Sequence, residues 1–224
     1  MNSLRTKLSF MMFLEFFIWG AWLPLTFTYL PYLKFSPLEQ SLILNAFAFG
    51  SLVGMFFSNQ FVDRNFAAEK FLAVSHLIGG LAIMGLAYVT NFWAFFFLML
   101  IHSLFYVPTI SITNAIAFAN LKDPQNEFAP VRRMGTIGWI AASIPMIFLL
   151  ADWTKIPALS EVGIGTWISN VLNTSLTGDA GNRQTAACYV VAGIASLVLA
   201  AFSLILPHTP PKKQVEGAPS IGRR

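Results

Sequence analysis

Six stretches of this sequence, 8–31, 41–61, 71–90, 92–119, 134–151 and 184–206, are long, apolar and nearly free of charge. A helix needs about 20 mostly apolar residues to cross the hydrocarbon core of a bilayer. Five of the six contain no Asp, Glu, Lys or Arg, and the first carries only Glu15. No water reaches that layer, so backbone polar groups must pair within a helix or a closed barrel. Barrel strands read as short alternating segments, which these are not. A soluble fold is excluded by composition: 11% of the 224 residues are charged and 56% are hydrophobic, against about 25% and 45–50% in soluble domains. The pattern predicts an all-α membrane protein with six transmembrane helices in one domain over 1–206. The remainder, 207–224, is basic and Pro-rich and reads as a cytoplasmic linker or disordered tail.

Connections set the expected orientation. Eleven Lys and Arg fall on one side of the six spans and three (Lys34, Lys155 and Arg183) on the other. By the positive-inside rule both termini lie in the cytoplasm. The first run is too long for a signal-peptide core and is interrupted by Glu15, so it reads as an uncleaved helix. The segment 120–133, with Pro124 and Pro130, reads as a polar cytoplasmic loop. The segment 152–183 is a long external excursion. In it Ile164, Trp167, Ile168, Val171 and Leu172 recur at helical spacing, as in a short helix lying in the interface.

Several function classes find no support. There is no nucleophile elbow, phosphate-binding loop or zinc-protease motif, so the reading is not an enzyme. A single cysteine, Cys188, and three scattered histidines offer no metal-ligand spacing, and no cofactor is implied. The basic residues lie in short clusters between apolar runs, which does not suit nucleic acid.

The polar residues inside the runs are more informative. Glu15 is expensive inside a membrane, and is either a structural hydrogen-bonding group or a proton or substrate site in a wet cavity. His102, Tyr106, Thr109 and Thr113 share one face of the fourth span, with Asn114 beside it and Pro108 inviting a kink. That stripe either lines a pathway or bonds helices together. Gly50 and Gly54 on the second span, Gly79 and Gly80 on the third, and Gly135 and Gly138 on the fifth mark close helix packing. Arg132, Thr136 and Trp139 stand at i, i+4 and i+7, one helical face presenting a guanidinium, a hydroxyl and an aromatic plane. That face suits a ligand with hydroxyls, carbonyls and a flat ring. The simpler reading is that Arg132 and Arg133 serve only as a topology signal, with Trp139 in bundle packing.

Four segments together resemble the nucleoside:proton symporter family of the major facilitator superfamily: Phe17-Ile18-Trp19-Gly20-Ala21-Trp22, Tyr106-Val107-Pro108-Thr109, Arg132 with Gly135-Thr136-Ile137-Gly138-Trp139, and Leu206-Pro207-His208-Thr209-Pro210. Asp63-Arg64 also resembles the superfamily's short cytoplasmic motif, with Asn59 where that motif has Gly. The resemblance implies a twelve-span carrier of two halves, each a pair of inverted three-helix repeats, with this chain as the amino-terminal half-domain. It implies transport of a nucleoside with protons across the bacterial inner membrane, with Arg132, Thr136 and Trp139 contacting the nucleoside. Glu15 stands where the family has Gln, and Arg133 where it has an apolar residue. Partners would be the bilayer, the nucleoside and protons, and a carboxy-terminal half or a second copy of the chain. The alternatives are a non-transporting membrane binding or scaffold module, and a homodimeric six-span transporter of another small polar solute.

Overall fold

A computed structural model describes residues 3–57 and 66–211. It is helical, with helices α1 (Ser3–Tyr32), α2 (Pro37–Phe57), α3 (Ala68–Gly85), α4 (Phe92–Asn120), α5 (Pro124–Ala141), α6 (Ser143–Leu150), α7 (Leu159–Val162), α8 (Ile164–Asn173), α9 (Gly178–Gln184) and α10 (Ala187–Ser203). Five helical stretches among the described residues are long and apolar enough to span a membrane: Leu4–Tyr32, Ala68–Tyr88, Phe92–Asn120, Pro124–Leu150 and Gly178–Ser203. The helix α2 is not among them and reaches the edge of the described residues at Phe57. The Asp63-Arg64 motif and the tail beyond Pro211 lie outside the described residues.

Local chemistry explains the helix starts. Ser36 and Glu39 form a reciprocal cap on α2, with the Ser36 amide donating to Glu39 Oε2 at 2.7 Å. Asn91 caps α4 by accepting from the Ala94 amide at 3.2 Å.

The segment 120–133 corrects the expectation of a polar loop. Asp123 caps a helix by accepting from the Asn126 amide, and Pro124 occupies its first turn. Proline there is a start signal, since its missing N–H is one that a first turn leaves unpaired anyway. The span expected at 134–151 thus begins at Pro124. It is also interrupted at Ala142, because Pro145 in α6 has no N–H for the Ala141 carbonyl one turn earlier. Pro108, by contrast, lies within an unbroken α4.

The long helices pair selectively: α1 with α5 and α10, α2 with α4, and α3 with α4 and α10. Small residues set the three tightest seams. A Cβ on Gly138 of α5 would strike the Phe13 carbonyl of α1, and one on Gly50 of α2 would come within 2.6 Å of the Ser103 carbonyl of α4. On α3, a Cβ at Gly80 would meet Ser196 of α10 at 2.9 Å. Backbones approach this closely only where no side chain intervenes.

Outside the long helices, α8 coincides with the amphipathic pattern seen at 164–172. Its Val171 is buried while Ile164, Ile168 and Leu172 are exposed. Ala151 and Ser175 form an isolated antiparallel bridge that closes the base of this excursion. At the opposite end of the bundle, Glu69 at the start of α3 accepts from His208 at 2.8 Å and from the Thr209 amide at 2.9 Å. Asn120 of α4 donates to the Thr209 hydroxyl at 2.8 Å. The Pro207–Pro210 segment is thereby tied to α3 and α4.

Candidate functional site

Two polar clusters meet on α1. The first is centred on Glu15, which is fully buried. Burial of a carboxyl is costly without partners, and two helices, α3 and α4, supply them. Thr109 of α4 donates to Glu15 Oε1 at 2.8 Å, and His76 of α3 places Nε2 3.0 Å from Oε2. Tyr106 donates its hydroxyl to the Glu15 main-chain carbonyl at 2.6 Å. Behind His76, Ser196 of α10 lies 2.9 Å from Nδ1 and donates to the His76 carbonyl at 3.0 Å.

The α4 stripe therefore faces the interior of the bundle. His102, Tyr106, Thr109 and Thr113 are all buried. His102 uses Nδ1 on the Gly79 carbonyl at 2.9 Å and stacks on Tyr106 with ring centroids 5.1 Å apart. Its Nε2 is buried without a partner among the described residues. Thr113 bonds back to its own helix at the Ile110 carbonyl. Asn114 is half-buried, and its side-chain oxygen has no partner among the described residues.

Sequence reasoning missed His76 and Ser196. The signal was present: a buried acid needs a partner, and His76 is the polar ring in an otherwise apolar, uncharged run. Among the described residues no three His, Cys, Asp or Glu side chains gather as metal ligands would.

The second cluster lies on α5. The Arg132 guanidinium sits 4.0 Å above the Phe16 ring, the residue that follows Glu15. Gly135 makes room for this seat, since a Cβ there would lie 2.7 Å from Phe16 and 2.8 Å from the guanidinium. One turn on, Trp139 meets Trp19 edge to face at 5.2 Å, and Trp19 stacks on Phe47 of α2 at 5.0 Å. Thr136 is exposed, and Arg132 and Trp139 are half-buried. Arg133 is exposed beside them. The face thus joins a cation, a hydroxyl and aromatic planes along the α1–α5 seam. A cavity of about 320 Å³ continues that seam between α1, α6 and α8, lined by Pro24, Leu25, Met146 and Leu150 among others. Its lining is mostly apolar, with Ser143 and Ser175 as the polar side chains, and contains none of the candidate residues.

Comparison with known proteins places this geometry. Residues 1–177 match the family model described as Nucleoside H+ symporter. The chain is 37% identical over 213 residues to YegT of Escherichia coli (strain K12), provisionally named a nucleoside transporter, covering 92% of this chain and 43% of that protein. It is 28% identical over 218 residues to the nucleoside permease NupG of the same organism, covering 95% of this chain and 44% of the permease. The fold is similar to the crystal structure of a mutant of the nucleoside transporter NupG, with TM-score 0.71 at 24% identity, covering 96% of this chain and 48% of that one. The chain thus spans less than half the length of the relatives it matches.

Proposed function

Because this chain belongs to the nucleoside H+ symporter family, we propose that it is the amino-terminal half of a proton-coupled nucleoside carrier. Its partner is a carboxy-terminal half or a second copy of the chain. The carrier is multi-pass in a bacterial inner membrane, with both ends of this half in the cytoplasm. Transport of this kind involves no covalent step: the site alternates between the two membrane faces as the halves rock.

The half is read as six spans, namely α1, α2, α3 with its following turn, α4, α5 with α6, and α9 with α10. These form two inverted three-helix repeats. The pairing of helices supports this reading. Exchanging α1 with α4, α2 with α5 and α3 with α10 maps α1–α5 onto α4–α2 and α1–α10 onto α4–α3. The α3–α10 seam maps onto itself.

Arg132, Thr136 and Trp139 are the nucleoside contacts. The carrying observation is the Arg132 guanidinium held on Phe16 beside an exposed Thr136 and the Trp139–Trp19 pair. Ribose hydroxyls and base carbonyls accept from the guanidinium fork and from Thr136, while the indole flanks the base. The buried stripe of His102, Tyr106, Thr109 and Thr113, with Asn114 beside it, is the polar packing that fixes Glu15 and its surroundings.

Counterflow of labelled uridine in proteoliposomes tests this. Uptake by the chain alone identifies a second copy as the partner, and binding without uptake identifies a half-carrier. Absence of both binding and uptake refutes the nucleoside assignment.

A further inference from the structure

The Ser196 hydroxyl has one hydrogen and two neighbours that want it. Directed at the His76 carbonyl 3.0 Å away, which can only accept, that hydrogen leaves Ser196 Oγ as an acceptor toward the ring. The contact between Ser196 Oγ and His76 Nδ1 at 2.9 Å is then a hydrogen bond only if Nδ1 carries a proton. In that arrangement a neutral His76 has its bare lone pair on Nε2. That lone pair faces Glu15 Oε2 at 3.0 Å, and both groups are buried. Two lone pairs at this distance repel unless a proton lies between them.

We infer that His76 keeps a proton on Nδ1, facing Ser196, and that Glu15 and His76 form a site for one exchangeable proton, shared between Oε2 and Nε2. With the proton bound, the pair is neutral overall, as acid and imidazole or as carboxylate and imidazolium. Release to solvent leaves a carboxylate opposite a bare imidazole nitrogen, with a net charge of −1 in a buried place. Uptake restores the bridge, and one proton enters or leaves with no other group changing state. Thr109 contacts Oε1 with a hydroxyl that it shares with the Tyr106 carbonyl, and Tyr106 holds the Glu15 backbone, so the carboxyl is kept against His76.

The other titratable groups around the pair are Tyr106 and His102 on α4 and Arg132 on α5. From α10 the neighbour is Ser196, and α2 contributes Phe47 against Tyr106. His102 is already committed to the Gly79 carbonyl and is not a member of the pair.

The site also bears on the proposed nucleoside function, and this part rests on that reading. Arg132 sits on Phe16, one residue from Glu15. A deprotonated pair presents that guanidinium with a negative charge to turn toward, while a protonated pair leaves it free for substrate. Proton and nucleoside then favour each other, as symport requires, and by linkage each strengthens the other equally. One coupled proton gives at most about a tenfold loss of nucleoside affinity per pH unit above the titration midpoint.

The test uses the full chain in lipid nanodiscs with ¹⁵N-labelled histidine. His76 signals, assigned by their loss in His76→Gln, should show Nδ1 protonated throughout and Nε2 losing its proton in one step as pH rises. Infrared difference spectra should show a single carboxyl change in that same step. In Glu15→Gln both changes should vanish while the His102 and His208 signals persist. A neutral His76 with its proton on Nε2 beside an ionised Glu15 at every pH overturns the site. So does an unaltered His76 step in Glu15→Gln, or the absence of any step before the protein unfolds. The wild-type nitrogen spectrum decides even where Glu15→Gln fails to fold. Uridine affinity is measured in parallel: no binding with the step intact refutes the nucleoside reading and leaves the proton site standing.

Discussion

The guanidinium of Arg132 rests on a ring at 4.0 Å rather than against a carboxylate, so its donors remain available to a ligand while its position is held. Charge-assisted hydrogen bonds contribute about 1.5–3 kcal/mol each, so Arg132→Ala should lower uridine affinity roughly ten- to hundredfold. Arg132→Lys should rescue poorly, since an ammonium lacks the planar fork and covers an aromatic ring less well. Arg133→Ala is the control, because that side chain lies about 100° around the helix and is exposed. Trp139→Phe should be mild and Trp139→Ala severe, the latter also removing the edge-on support of Trp19. Binding to purified variants, with helicity checked by circular dichroism, gives the order. Equal losses from Arg132→Ala and Arg133→Ala would reduce the pair to a topology signal.

Helix pairs carry the next layer of consequence. A Cβ on Gly138 meets main chain, not a movable side-chain tip, so Gly138→Ala must push α5 away from α1. Overpacking of this kind costs about 1–3 kcal/mol. Thermal unfolding in detergent should show the loss. Gly165 on α8 has open space around its would-be Cβ, so Gly165→Ala should be neutral or slightly stabilising through helix propensity. In the turn after α6, Asp152 is held below the usual carboxylate range by hydrogen bonds from Lys155 and Thr154, the former at 2.7 Å. Its folded value lies below its unfolded one. The contribution is therefore complete above the unfolded value of about 4 and is lost as pH falls through the lowered folded one. The protection factor of the Thr154 amide, its exchange rate relative to the unstructured peptide at the same pH, should fall in acid over that window, and Asp152→Asn should remove that pH dependence.

For the whole molecule, orientation follows from charge rather than packing. Reporter tags at residue 1 and residue 224 should be inaccessible from outside intact cells, and one at Gly178 accessible. An externally labelled amino terminus would overturn the count of eleven against three cationic residues. The helix pairing and the tie from Glu69 to the segment after α10 hold the described helices together as one bundle.

Apolar run length and the scarcity of charge determined by themselves that this chain is a membrane helix bundle, because a bilayer leaves the backbone few ways to satisfy its polar groups. Periodicity likewise placed Arg132, Thr136 and Trp139 on one face, and His102, Tyr106, Thr109 and Thr113 on another, since both follow from 3.6 residues per turn. The start of α5 was legible too: Asp123-Pro124 is a cap followed by a first-turn proline, although the surrounding polarity suggested a loop. What Glu15 touches was decided only in three dimensions. His76 and Ser196 lie 61 and 181 positions away along the chain, and no helical period relates residues on different helices. Only the α3–α10 and α1–α4 packing brings them within hydrogen-bonding distance of one another. For the same reason the seat of Arg132 on Phe16 belongs to the tertiary structure: it exists because Gly135 and Gly138 let α5 lie against α1, a distance set by two backbones meeting.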